Sequence, residues 1–343
     1  MLLLAALAAA MAWSALAVIP PSGDAPKARA PSVTAPAPRK GDGDLALYAA
    51  IHTRMAAGEG YYAAALAEHR ARNYPTQPFA AVRLPTLAWL QAALGLGGVR
   101  YLMIGLVAAC LLALHRRLKG IAAWHEQALA LVILAAGGAA VLVARAGLIH
   151  ELWAGVCLTL ALLLYREDRW WPALLAAAPA LAVRELALPF AVLWLAFALA
   201  ERRWREAAGV GALLAVFAVG MALHWHMVAA GRLPGDPVSQ GWNAGAGLLL
   251  PLSAVWRLTG LAQLPAIIGV PLALLPLVGW AGLGGRLGLF AALWFTGLAA
   301  MVALFARPEN YYWVQLALPA YAIGLAFAPR ALGELVRAAS RQT

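Results

Sequence analysis

Residues 170–200 read WWPALLAAAPALAVRELALPFAVLWLAFALA, an apolar run interrupted by one charged pair, Arg184-Glu185. As a single helix the run would extend about 45 Å at 1.5 Å per residue, too long for a ~30 Å hydrocarbon core without strong tilt. It would also place Arg166 and Arg169 across the membrane from Arg202, Arg203 and Arg205, against the tendency of basic loops to share one side. Two short spans, 170–183 and 186–200, fit better. Each has only about 14 apolar residues, against the ~20 that a free-standing span needs, so the Arg184-Glu185 turn should lie below the membrane surface. A charged turn at that depth is tolerable only in a protein-lined cavity.

The rest of the chain has the same character. It is 64% hydrophobic and 12% charged, with a mean hydropathy of +0.76, a composition that excludes a soluble globular domain of this length. The fold class is all-α, a polytopic integral membrane protein of about ten spans near 2–20, 101–114, 127–147, 150–165, 170–183, 186–200, 207–229, 262–282, 287–306 and 313–329. The net charge of +11 orients loops and does not point to nucleic acid, for which there is no binding pattern. In this count the basic connections at 115–119, 166–169, 202–205 and 286, and the tail after 330, all fall on one side, the cytoplasmic one. The segment 21–100 is too long for its arginines to hold it back, and is assigned outside. Cys110 and Cys157 stand inside apolar runs, without a CxxC pattern, and read as packing residues. Residues 1–20 are expected to be a retained first span, because a signal peptide would need a basic start that is missing.

Outward along the chain, 21–43 is a Pro/Ala-rich linker and 331–343 a cytoplasmic tail, with a helical bundle over 101–330. Between linker and bundle, 44–100 is the large extracytoplasmic loop. From Asp44 a helix-forming stretch continues to Gly58-Glu59-Gly60, then Tyr61-Tyr62 opens a second helical run to Arg72. These read as short amphipathic helices at the interface. A Pro-punctuated loop follows, from Asn73-Tyr74-Pro75 to Phe79. Arg83-Leu84-Pro85 then leads into an apolar helix that breaks at Gly95 before Arg100.

This order of features, Asp44 with Tyr48 one turn on, Arg54, Gly58-Glu59, Tyr74-Pro75 to Pro85, Gly95 and Arg100, resembles the GT-C superfamily of polyprenyl-phosphate-sugar glycosyltransferases. It is most similar to the aminoarabinose and protein-mannosyl transferase branch. The resemblance rests on order and spacing and is strongest over 42–101. It implies a membrane glycosyltransferase, a hexosyl- or pentosyltransferase. The enzyme would move a sugar from a polyprenyl-phosphate donor to a lipid, glycan or protein acceptor, in a bacterial inner membrane with the site facing the periplasm. Membrane lipids, the donor and the acceptor are the partners it implies. In the family an acid in the first outer loop serves as base or organises the acceptor site, and Asp44 matches it by its spacing to Tyr48. The family's second acid is replaced by Leu45, and the extra acid is Asp42; whether a divalent metal is used therefore stays open. The family's soluble C-terminal domain has no counterpart in the sequence.

The chemistry needs a carboxylate to take the acceptor's hydroxyl proton and cations to hold the phosphate that leaves. Asp44, with Asp42 beside it, is the candidate base. Arg184, Arg257 and Arg307 are the phosphate candidates, because a guanidinium fork matches phosphate geometry. Glu151 opens an outward junction at a similar depth to Arg184 and Glu185, so these three should converge. Tyr48, Arg54, Glu59, Tyr74, Arg83 and Tyr311 complete the expected substrate-binding set, and the outward turn from Arg307 to Tyr312, rich in hydrogen-bonding groups, is expected to close the acceptor or lipid-phosphate side.

Plainer readings stand beside these. Asp44 would serve equally as a cap of a helix beginning at Leu45, and Arg184-Glu185 as a structural ion pair. His224 and His226, two apart on a helix, do not share a face and are expected to pack, not to bind metal. Trp170, Trp171 and Trp204 at one boundary, and Trp153, Trp242 and Trp313 at the other, read as aromatic belts. Among other functions, a transporter or flippase of a lipid-linked or small polar solute would also use intramembrane Arg and Glu. A non-catalytic assembly protein would leave Asp44 without a task.

Overall fold

The structure is a computed structural model and describes residues 1–18 and 43–341. Asp42 and the 21–42 part of the linker lie outside the described residues. The described chain is all-helical; its only strand-like feature is an isolated bridge between Gln77 and Val238. Five helical segments are long and apolar enough to cross a membrane: Phe79–Leu118, Trp124–Leu142, Trp204–Ala230, Ala266–Leu283 and Gly285–Phe305. The remaining apolar helices are shorter.

After α1 (Leu2–Ala17), helices α2 (Asp44–Ala56) and α3 (Tyr61–Ala71), in the segment that the sequence reading assigns outside and here named the outer domain after it, pack on a core of Leu47, Ile51, Tyr61, Leu66, Val82 and Val228. Helix α4 (Thr86–Leu118) links it to the bundle and breaks at Gly95, whose φ of 67° belongs to the left-handed region that glycine enters without steric cost. The sequence expectation of a span over 101–114 is therefore too short at both ends. Helices α5 (Trp124–Gly138), α6 (His150–Leu164), α7 (Trp171–Val183), α8 (Leu188–Ala200) and α9 (Trp204–Ala230) follow. The run 170–200 is a helical hairpin, its turn made by Arg184 and the 3-10 segment Glu185–Ala187.

Beyond α9, a loop leads to α10 (Leu249–Leu258). The expected span 262–282 is two helices, α11 (Ala266–Leu272) and α12 (Leu275–Leu283), interrupted where Pro271 and Pro276 remove backbone donors. Helix α13 (Gly285–Phe305) is regular. The expected span 313–329 is not one helix. It runs as the 3-10 segment Pro308–Leu316, the single turn α14 (Leu318–Tyr321) and the 3-10 segment Ala322–Ala326 before α15 (Ala328–Ser340), with prolines at 308, 319 and 329 interrupting the ladder. Here Gly324 and Gly279 bring the chain against α12 so closely that neither position has room for a Cβ. The tail placed at 331–343 is mostly the amphipathic α15, which packs on α12.

The helices sort their charges to two ends. Arg203 pairs with Glu167 (3.1 Å) and Glu206, Arg286 with Glu201 and Glu206 (3.6 Å), and Arg330 with Glu126 (3.1 Å), joining the Arg-rich connections at one end. From there α7 runs to Arg184 and α13 to Arg307, so Glu151, the Arg184 turn, Arg307 and the outer domain share the other end.

Candidate functional site

Asp44 is the first residue of α2, and Gly43 is the N-cap. The capping expectation therefore fails: glycine has no side chain to cap with, and the Asp44 carboxylate turns elsewhere. Its Oδ1 accepts from the Tyr74 hydroxyl at 3.0 Å and its Oδ2 from the Tyr312 hydroxyl at 2.7 Å. A carboxylate at a helix's first turn also faces the positive end of the helix dipole. Tyr74 comes from the loop after α3, held by His69, whose ring nitrogen Nδ1 lies 2.8 Å from the Pro75 carbonyl. Burial lowers His69 to about 4, which keeps it neutral, so Nδ1 carries the proton and donates it to that carbonyl.

Tyr48, one turn along α2, is reached by Arg83, whose Nε donates to the Tyr48 oxygen at 2.8 Å; burial raises the phenol to about 12. The Tyr48 ring meets His150 edge-on, with centroids 4.6 Å apart. Arg83 also approaches Glu151 at 3.5 Å, and Glu151 accepts from Arg184 Nε at 2.8 Å. Arg184 in turn pairs with Glu185 and lies over the Trp313 ring at 5.9 Å. Arg184 is 1% exposed and Glu151 2%, so this is an ion network at depth, built from α6, the α7–α8 turn and the outer domain.

Seven of the residues singled out from sequence are thus assembled in one place: Asp44, Tyr48, Tyr74, Arg83, Glu151, Arg184 and Glu185. Four others are not, and Tyr311 only adjoins the site. Arg54 forms a fork on Glu59 (2.5 and 2.7 Å) and reaches Glu68 (3.2 Å), tying α2 to α3 about 15 Å along the helix from Asp44. Glu59, held below its usual range by that guanidinium, is spent in the same clip. Arg257 is exposed on α10, outside the cluster. Arg307 donates to Gln240 at 2.7 Å and pairs with Glu309 at 3.6 Å, joining two outer loops. Tyr311 meets the Tyr312 ring edge-on at 6.2 Å and packs against the bundle core. Asp42 lies outside the described residues.

Sequence reading missed His150 and Trp313, and placed Tyr312 only as one hydrogen-bonding group of the turn that begins at Arg307, without its bond to Asp44. The doublet Tyr311-Tyr312 was visible, but which hydroxyl faces Asp44 depends on the 3-10 geometry of Pro308–Leu316. Trp153 and Trp313 are not belt residues: they are 3% and 4% exposed and packed inside the bundle, whereas Trp171 and Trp204 are exposed. His224 joins α9 to the outer domain through the Val82 carbonyl (3.0 Å) and the Tyr62 hydroxyl (3.1 Å).

The loop from α9 to α10 shields the site's outer rim. Arg70 binds Asp236 at 2.6 Å, Thr76 N–H donates to the Pro237 carbonyl at 3.0 Å, and Ser239 N–H donates to the Gln77 carbonyl at 2.6 Å. Among the described residues no group of three or more His, Cys, Asp or Glu side chains is arranged to hold a metal ion. In chemical terms the site offers a carboxylate with lone pairs to spare, a partly accessible guanidinium at Arg83, and a buried Glu151–Arg184–Glu185 base beneath them. Neither a family model, nor a curated protein, nor a solved structure matches the chain.

Proposed function

We propose that the chain is a membrane glycosyltransferase of GT-C type, transferring a sugar from a polyprenyl-phosphate donor to an acceptor on the extracytoplasmic face. The observation that carries this reading is the placement of Asp44. It stands at the joint between the outer domain and the bundle, with both oxygens oriented by tyrosines and an Arg–Glu network next to it. A carboxylate so held is suited to take the proton of an acceptor hydroxyl. Arg83 spends two donors on Tyr48 and Glu151, and a guanidinium has five, so donors remain for a phosphate oxygen of the leaving group. Arg184, enclosed by two carboxylates, supports Glu151 and through it Arg83.

Helix length supports a recessed site. Helix α6 has 15 residues and α7 has 13, about 20–22 Å of rise against a ~30 Å hydrocarbon core. With the Arg-rich connections at the cytoplasmic surface, Glu151 and Arg184 then lie below the outer surface, where the head of a lipid-linked donor would be met from the side. In this reading the chain crosses the membrane about ten times, five times by the long segments and otherwise by short or broken ones. Cysteine placed at Ala57 should then react with an impermeant reagent from outside, and one at Lys119 should not.

The test of function is direct. Purified protein in vesicles, supplied with polyprenyl-phosphate sugars and hydroxyl acceptors, should release polyprenyl phosphate in step with glycosylated product. Mass spectrometry of co-purifying lipids should find a polyprenyl-phosphate sugar. Absence of both lipid and transfer across a panel of donors would remove the reading.

A further inference from the structure

Tyr312 stands in the turn expected to close the site, but its bond to Asp44 was specified neither by the sequence pattern nor by the resemblance. Asn310 Nδ2 lies 3.3 Å from the Tyr312 oxygen and donates to it, so the hydroxyl proton is directed onward to Asp44 Oδ2 at 2.7 Å. Tyr74 donates to the other oxygen at 3.0 Å. Two donors thus point one way, Asn310 to Tyr312 to Asp44, and Tyr74 donates from the other side. An ionised carboxylate has about four lone-pair sites, so two stay free for an acceptor hydroxyl. Tyr74 belongs to the outer domain, as Asp44 does. Tyr312 belongs to the bundle, 268 residues away in sequence, and its bond to Asp44 crosses the joint.

We propose that Tyr312 is the positioning residue of the Asp44 site, its hydroxyl fixing the rotamer of the carboxylate across the joint and directing its free lone pairs toward the acceptor. The inference rests on the transferase reading for its kinetic consequence, but not for its chemistry. Hydrogen bonds donated to a carboxylate favour its charged form, and removing one makes protonation easier. The other titratable groups that face Asp44 are Tyr48 on its own helix, His69 on α3, Tyr74 and Arg83 from the connection to α4, and beyond them Glu151 and Arg184. Of these only Tyr74 donates a hydrogen bond to it. Tyr312 also carries the shorter of the two bonds.

Tyr312→Phe keeps the ring and deletes the hydroxyl. The acid limb of the transfer rate against pH should move up by about one unit, roughly the tenfold that one hydrogen bond to a charged group is worth. Turnover should return to within a few-fold of wild type above that limb. A role in packing alone would lower the rate equally at every pH, and that outcome would overturn the proposal. Difference infrared spectroscopy gives a second readout that needs no transfer, the protonated-carboxyl band that is lost in Asp44→Asn. In Tyr312→Phe this band should appear at higher pH than in the otherwise unmodified protein, and an unmoved band would overturn the proposal. A moved band without transfer in any variant would leave Tyr312 in place and remove the transferase reading instead. If Tyr312→Phe does not fold, Asn310→Ala weakens the same chain from its far end, and the band should shift in the same direction by less.

Discussion

The two ends of the bundle both bury acids against arginines, but they are built differently. At the end with the Arg-rich connections, Glu206 is held by Arg203 three residues before it, by the Trp194 indole and by Arg286, so two of its three partners come from α8 and the turn into α9 and the third from α13. Each of its oxygens accepts one hydrogen bond, and the residue is 1% exposed, so nothing further can reach it. At the other end Asp44, Arg83, Glu151, Arg184 and Tyr312 come from five separate segments, and the carboxylate at the edge keeps unused lone pairs. A local clip stabilises a helical turn. A cluster gathered from distant segments costs loop entropy and buried charge, and perturbed, buried charges of this kind concentrate at functional sites.

The comparison breaks most sharply at Asp44. Asp44→Asn preserves size and still accepts from one tyrosine, so folding and donor-lipid binding should be retained, while transfer falls by ~10²-fold or more, the scale of losing a general base. Full activity in that variant, measured in vesicles, would reduce the outer cluster to a second clip. Glu185→Gln comes next. It removes one of the two carboxylates around Arg184 and leaves that guanidinium less compensated at depth, so donor binding or turnover should fall severely in folded protein. Turnover like wild type would make the pair structural.

What was legible in the sequence follows the range of the interactions. Helical class, the breaks at Gly58–Gly60 and Gly95, and the charged turn of the 170–200 hairpin are local matters of hydropathy and glycine, and all are found in the structure. The convergence of Glu151 with Arg184 was reachable because helices of known rise fix depth. Arg54 and Glu59 were misplaced because the order of motifs gives no distance: Arg54 stands ten residues, about 15 Å of helix, from Asp44, and both side chains meet across the α2–α3 turn. The role of Tyr312 was out of reach for a different reason. The residue was expected in an outward turn, and its bond to Asp44 depends on how the 3-10 segment Pro308–Leu316 directs successive side chains, which the sequence of a turn does not give.

At the opposite end, Arg286→Met should leave specific transfer activity unchanged while lowering stability by ~1.5–3 kcal/mol, the value of contacts to a charged partner. Arg286 also covers Tyr165 and Phe197 at 5.2 and 5.5 Å, packing that methionine partly replaces. Equal loss of activity in this variant and in Glu185→Gln, each normalised to folded protein, would erase the distinction between the two ends.

The smallest effect concerns the loop that presents Tyr74, and it separates two pH windows. His69 is lowered by burial from 6.5 to about 4 in the folded protein, so between those values the unfolded chain binds a proton that the folded one refuses. The stability it contributes is complete above about pH 6.5 and is lost as pH falls toward 4. Asp236 is lowered from 3.8 to about 2, chiefly by its hydrogen bond from Arg70, so its contribution is lost only below about pH 4. Both groups tie down residues 73–77, through Pro75 and Thr76 respectively. The thermal midpoint should therefore fall by a few degrees between pH 6.5 and 4, and again below 4. In His69→Phe the first decline should vanish and the second persist, whereas a first decline unchanged in that variant would assign it to another group and free the Tyr74 loop from His69 control.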